Sequence, residues 1–208
     1  MVTGASMGIG ESLAQRFVRE GAQVVLSSRD VGRVEQARTR IGETERTLAV
    51  ACDVTRRGDL EQLLSATLNR FGRVDIWVNN AGYGVIDSVA QLNVTECRRM
   101  FDTNLFAVIE AIQIVVPQMR KQGGGSIINI SSIAGHISVP YMSAYGATKH
   151  ALNCISRAAR VELKRDNIHV LTVCPGYIAT AFAANTVKGT EAMRMAGAAD
   201  RGTRGCGL

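Results

Sequence analysis

Tyr141, Tyr145 and Lys149 recur at four-residue intervals in the stretch VPYMSAYGATKHAL, Val139–Leu152. Residues four apart share one face of a helix, so a helix starting near Ser143 makes Tyr145 and Lys149 neighbours. A phenol with an ordinary pKa of about 10 is a poor base at neutral pH, and a nearby ammonium lowers that value by favouring phenolate. The pair therefore suits general acid–base work. A hydroxyl from Ser131 or Ser132, at the end of the preceding apolar run, could hold a substrate carbonyl. Tyr141 follows Pro140 and is expected on the turn entering the helix. It lies eight residues from Lys149, about 12 Å along a helix axis. A single YxxxK also fits an ordinary surface pair.

A second constellation opens the chain. TGASMGIG sets Gly4, Ser6, Gly8, Ile9 and Gly10 between a short apolar run and a helical pattern. A strand, a glycine turn and a helix start present backbone N–H groups and a positive dipole end to a pyrophosphate. The spacing is GxxxGxG rather than GxGxxG, and a plain tight strand-to-helix connection would look the same. The next strand ends LSSRD. Dinucleotide folds place an acid near this point for a ribose hydroxyl, or a cation for the 2′-phosphate of NADP. Ser28 stands at the acid position and Arg29 follows, so NADP is expected ahead of NAD. The alternative makes Arg29 a surface arginine and Asp30 the ribose ligand. Asp53 and Val54 of ACDVT, and Asn80, Ala81 and Gly82 of VNNAG, close two further strands beside the same crevice.

These groups need elements to hold them. Gln23–Ser28, Thr47–Asp53, Val74–Asn80, Ser126–Ser132 and His169–Pro175 are short runs rich in Val and Ile. Near-continuous apolar character marks strands buried on both faces, as in a parallel sheet. Helical patterns lie between them, after Gly8, over Leu60–Phe71, over Thr95–Arg120 and over Ser143–Arg165. The alternation predicts an α/β fold, a doubly wound parallel sheet in a three-layer α/β/α sandwich of Rossmann type. In such sheets ligands bind at the carboxyl ends of the strands. A single domain over residues 1–208 is expected, with 180–208 as a mobile substrate-loop segment. The first strand is short and no strand is read after Pro175, so the chain is expected to be clipped at both ends.

Composition narrows the classes. Net charge is +6, but the arginines alternate with acids, and aromatics are 5% of the 208 residues. Nucleic-acid binding favours a clustered basic stripe with aromatics, so no nucleic-acid partner is expected. No apolar run reaches the roughly 20 residues of a membrane helix, and no membrane partner is expected. Five cysteines without CxxC spacing read as reduced thiols in a cytoplasmic protein. Neither they nor the three dispersed histidines form a metal-ligand pattern.

Together the motifs carry a resemblance. TGxxxGxG at Thr3–Gly10, Asp53–Val54, NNAG at Asn79–Gly82, Asn104, the serine strand, YxxxK at Tyr145–Lys149 and Pro175–Gly176 stand in one order. The chain resembles the short-chain dehydrogenases/reductases, single-domain NAD(P)-dependent oxidoreductases. The family's serine precedes its tyrosine by thirteen residues, which selects Ser132. The resemblance implies Tyr145 as general acid/base, Ser132 as the group that orients the substrate oxygen, and Lys149 as the ligand of the nicotinamide ribose. It implies that Asn104 holds a water in a proton relay. Asp53 and Val54 would contact adenine, Asn80–Gly82 would pass near its ribose, and Ile178 and Thr180, after Pro175–Gly176, would hold the carboxamide. It further implies hydride transfer between NADPH and a small carbonyl or alcohol, in a homodimer or homotetramer. The alternative is a catalytically silent dinucleotide-binding scaffold or sensor with the same fold. Substrate identity is not readable from the loops after Ser132 and Thr180.

Overall fold

Strand residues alternate between two buried faces, and that alternation builds the molecule. The computed structural model describes residues 1–178, 186–189 and 193. The main strands are β1 (Val2–Thr3), β2 (Val24–Ser28), β3 (Thr47–Ala51), β4 (Ile76–Asn79), β6 (Gly125–Ile130) and β7 (Ile168–Val173). They form one parallel sheet in the order β3-β2-β1-β4-β6-β7. Val25, Trp77, Ile127 and Val170 face one side, packing with α3 (Arg57–Phe71) and α5 (Ala107–Lys121). Val2, Val24, Leu26 and Val78 face the other, packing with α1 (Gly8–Arg19) and α2 (Val31–Ile41). Successive strand side chains point to opposite faces, so covering both makes each strand apolar throughout. This is the doubly wound Rossmann-type sandwich that the sequence predicts.

The chain winds outward from β1 to β3, then restarts beside β1 with β4 and winds the other way. Val2 pairs with both Leu26 and Val78. The two loops leaving β1 and β4 therefore diverge, and a crevice opens between them at the carboxyl ends of the strands.

Three details differ from the sequence reading. The helix expected over Thr95–Arg120 is α4 (Val94–Phe101), a π turn over Asp102–Phe106, and α5. An 18-residue window within this Val94–Lys121 run has a mean hydropathy of 1.4, which by composition would suit a membrane span, and half of that window is buried inside the protein. The helix expected to reach Arg165 is α6 (Ser143–Glu162), stopped by a 3₁₀ turn and by Asn167 at φ 54°. A strand does follow Pro175: β8 (Val187–Lys188) pairs in parallel with β5 (Val85–Ile86). Two residues are too few to give an apolar run. Tyr141 lies on the turn before α6, as expected, at φ 65° with its carbonyl accepting from Asp87 N at 3.0 Å. Thr180 and most of the 180–208 segment lie outside the described residues.

A buried polar chain crosses the sheet. Trp77 Nε1 donates to Asn79 Oδ1 at 2.9 Å, Asn79 Nδ2 to Asn129 Oδ1 at 2.8 Å, and Asn129 Nδ2 to Ser156 Oγ at 2.9 Å. It ties β4, β6 and α6 together. Asn129→Ala removes the middle link and leaves Asn79 Nδ2 and Ser156 Oγ buried without it. A loss on the order of 2–3 kcal/mol is expected in urea denaturation, since a buried group deprived of its partner costs ~1–3 kcal/mol. A loss under ~0.5 kcal/mol would show that the chain contributes nothing to stability.

Candidate active site

The turn after β1 needs glycine for two separate reasons. Gly4 and Gly8 have φ of 62° and 60°, a region that side chains disfavour. A Cβ on Gly10 would come within 2.5 Å of both Gly4 O and Asn80 Nδ2. The turn is therefore a cradle that backbone alone can line. α1 begins at Gly8, and its N-cap, Met7, makes no side-chain cap hydrogen bond. The helix therefore starts beside Ser6 and Ile9, and a helix N-terminus carries backbone N–H groups and a positive dipole end.

The loop after β4 is pinned to this cradle. Asn80 Nδ2 donates to Thr3 O at 2.9 Å and Gly4 O at 3.1 Å. Thr3 Oγ1 accepts from Asn80 N at 3.0 Å and from Ala81 N at 3.1 Å. Thr3 is a positioning residue; it heads the TGxxxGxG motif, but the sequence reading gave its side chain no role. A Cβ on Gly82 would lie 2.9 Å from Asn104 Oδ1. Asn104 is fully buried in the π turn and does not face solvent. Its Oδ1 accepts from Tyr83 N at 3.1 Å, while its Nδ2 donates to Tyr83 O at 2.9 Å and to Thr148 Oγ1 at 3.2 Å. The carboxamide thus clamps the VNNAG loop to α6. Thr148, which donates to Tyr145 O at 2.8 Å, completes the clamp and also escaped the sequence reading.

At the edge of the crevice, Arg29 is exposed and enters no hydrogen bond or ion pair among the described residues. Asp30 is occupied: it caps α2, with Oδ1 accepting from Arg33 N at 3.0 Å and a carboxylate–guanidinium contact to Arg33 at 3.4 Å. Asp53 Oδ1 accepts from Thr55 N and Thr55 Oγ1, and Val54 is buried beside it. Pro175 O accepts from Ile133 N at 2.9 Å, which places Pro175–Gly176 beside the serine loop, while Ile178 is exposed.

Ser132, Tyr145 and Lys149 come together where β6 meets α6. Ser132 Oγ accepts from Ala134 N at 3.1 Å and hydrogen-bonds the Tyr145 phenol. Lys149 is buried, and its Nζ donates to Ile130 O at 2.9 Å. The ammonium faces the Tyr145 ring, 5.7 Å from its centroid. Burial pushes the phenol above its ordinary pKa, and the Ser132 hydrogen bond pulls it back in part. The sequence reading expected Lys149 to lower it; the ammonium is instead directed at a backbone carbonyl. Burial also pushes Lys149 itself down, to about 8.

Comparison with known proteins gives the family. The short chain dehydrogenase family model matches residues 1–191. An uncharacterized oxidoreductase of Staphylococcus epidermidis is 35% identical over 188 residues, 89% of this chain and 80% of the relative. An NADP-dependent (R)-specific alcohol dehydrogenase of Lentilactobacillus kefiri is 37% identical over 196 residues, 93% of this chain and 77% of the relative. Among solved structures, a 3-ketoacyl-(acyl-carrier-protein) reductase of Brucella melitensis complexed with NADH superposes with a TM-score of 0.84 at 29% identity, covering 95% of this chain and 87% of that one. The chain belongs to the short-chain dehydrogenase/reductase family and is an oxidoreductase of that class.

The depressed lysine has a stability consequence. Below pH 8 the folded protein holds a cation in a site that disfavours it. Between about 8 and the ordinary value of 10.5, the folded state releases the proton while the unfolded chain keeps it, so the penalty fades. Lys149→Met is expected to raise stability by on the order of 1–3 kcal/mol at pH 7, with the gain shrinking toward pH 10. Denaturation of both proteins at the two pH values checks this. A variant less stable at both would show that the Ile130 hydrogen bond outweighs desolvation.

Proposed function

We propose that the protein is an NADP-dependent dehydrogenase/reductase that interconverts a small carbonyl compound and its alcohol, with Tyr145 as general acid/base. The observation that carries the reading is the Tyr145–Ser132 hydrogen bond beside buried Lys149, at the same end of the sheet as the glycine cradle. Gly4, Ser6, Gly8, Ile9 and Gly10 would hold the pyrophosphate. Asp53 and Val54 would hold the adenine, Asn80–Gly82 its ribose, Lys149 the nicotinamide ribose, and Pro175, Gly176, Ile178 and Thr180 the carboxamide end. When bound, the cofactor supplies or accepts the hydride.

The side chains do the rest. Ser132 holds the substrate oxygen next to the phenol. In the reducing direction Tyr145 gives that oxygen its proton; in the oxidising direction it takes it back. Burial favours the protonated phenol, which suits the donor role. Lys149 stays behind the ring, its ammonium held by Ile130 O. Asn104 fixes the loop and helix to each other, and its expected water relay remains part of the proposal.

NADP is favoured over NAD because Asp30 is committed to capping α2 while Arg29 is exposed and unengaged. The planar fork of arginine suits a 2′-phosphate. A homodimer or homotetramer fits half-exposed Phe106 at the start of α5. Cytoplasmic residence fits free Cys52, Cys97, Cys154 and Cys174.

Tyr145→Phe is expected to lose ~100–10,000-fold in turnover, the usual contribution of an acid/base group, while still binding NADPH. Tyr141→Phe should leave turnover within about threefold, because its phenol lies outside the Ser132–Lys149 cluster. Steady-state assays over a carbonyl panel with NADPH fluorescence titration test both. A Tyr145→Phe enzyme keeping a tenth of the rate would remove that residue from the mechanism. If the unaltered protein binds NADPH but reduces no carbonyl, the silent-scaffold alternative holds.

Arg29→Ala should weaken NADP binding by on the order of 1.5–3 kcal/mol and leave NAD nearly unchanged. Equal dissociation constants for the two cofactors in the unaltered protein would refute the 2′-phosphate role.

A further inference from the structure

Behind the catalytic lysine, three side chains from separate elements meet around a sulfur. Cys174 follows the end of β7, His136 follows the 3₁₀ turn Ile133–Gly135, and Asn153 is on α6. His136 Nε2 lies 3.3 Å from Cys174 Sγ. Asn153 Nδ2 donates to Gly135 O at 2.9 Å and approaches the same imidazole nitrogen at 3.3 Å. Cys174 Sγ in turn donates to Asn153 Oδ1 at 3.8 Å. Asn153 is buried, whereas His136 is exposed and Cys174 is half-buried. A cleft of about 310 Å³ opens here, lined by Gly135, His136, His150, Asn153, Cys154 and Arg157. Two of the groups touching the sulfur thus form its wall.

A thiol against an imidazole nitrogen is the arrangement that activates sulfur as a nucleophile. Nothing in hydride transfer uses it. We infer that Cys174 is a covalent modification site for α,β-unsaturated carbonyl compounds, with His136 as its proton acceptor. The sulfur adds to the β-carbon, forming an S–C bond. The C=C π pair moves to the α-carbon and carbonyl. The thiol proton passes to His136 Nε2 and then to the α-carbon. Thiol and enone become a thioether, and no oxidant or further reactant is needed. The inference stands whether or not the carbonyl reductase reading holds, because its test needs no turnover.

Cys154 supplies the internal control. It lines the same cleft and is exposed, so accessibility alone would make it react before Cys174. The unaltered protein is treated with limiting N-ethylmaleimide, a Michael acceptor, and labelling of each cysteine is followed by peptide mass spectrometry. Cys174 is expected to react at least ~10-fold faster than Cys154, and His136→Asn should slow Cys174 by ~10-fold or more, the lower range for a lost general base. His150→Asn, a change in the same cleft away from the sulfur, should leave that rate within about twofold. Faster labelling of Cys154 overturns the proposal, and that comparison needs no variant. So does a Cys174 rate unchanged by His136→Asn, or slowed equally by His150→Asn.

Discussion

One threonine hydroxyl and one carboxamide hold the two halves of the crevice together. β1 and β4 are neighbours, but the chain leaves them in diverging directions, and such a junction opens unless something bridges it. Thr3 Oγ1 accepts the N–H groups of Asn80 and Ala81, and Asn80 Nδ2 returns two bonds to Thr3 O and Gly4 O. The bridge is why Gly10 can carry no Cβ: its position is already filled by the Asn80 amide. The same logic repeats one layer further out. Asn104 grips both backbone groups of Tyr83, and Gly82 must be bare because the carboxamide lies against it. Cradle, loop and α6 are thus coupled through neutral hydrogen bonds, which lose little strength as salt rises.

Tyr145 and Lys149 show which electrostatic effect prevails when the two compete. Spacing puts Tyr145 and Lys149 on one face, and the expectation that a neighbouring cation acidifies a phenol is sound physics. Yet both groups are buried, and desolvation acts against each charged form. The lysine spends its hydrogen bond on Ile130 O. What remains is a phenol that burial keeps in its neutral form, with the ammonium behind its ring.

Much of this was legible because it is periodic or local. Strands buried on both faces advertise themselves as Val/Ile runs, and YxxxK spacing survives because α6 is regular. Asn104 was identifiable as a candidate by motif order, but its partners were not: contact with Tyr83 and Thr148 spans twenty-one and forty-four residues. The Trp77–Asn79–Asn129–Ser156 chain was hidden for the same reason, since its asparagines sit inside apparently apolar strands. β8 escaped because a two-residue bridge has no period. The cap that Asp30 makes on α2 was not legible either, because it depends on where α2 starts.

The π turn at Asp102–Phe106 separates two helices that would otherwise share a phase. Each additional residue in a helix turns everything beyond it by about 100°. α4 therefore buries Met100 on one bearing and α5 buries Ala107, Val108 and Ala111 on another, although the backbone runs on without a break. The turn is in effect an insertion carried inside a helix, as π turns at functional sites commonly are. Deleting one residue there would let a regular α-helix close, with its backbone bonds intact, while swinging the carboxamide away from Tyr83. Two homologous chains differing by that single residue could share nearly every apolar position of this helix and still differ in whether the crevice closes around its loop.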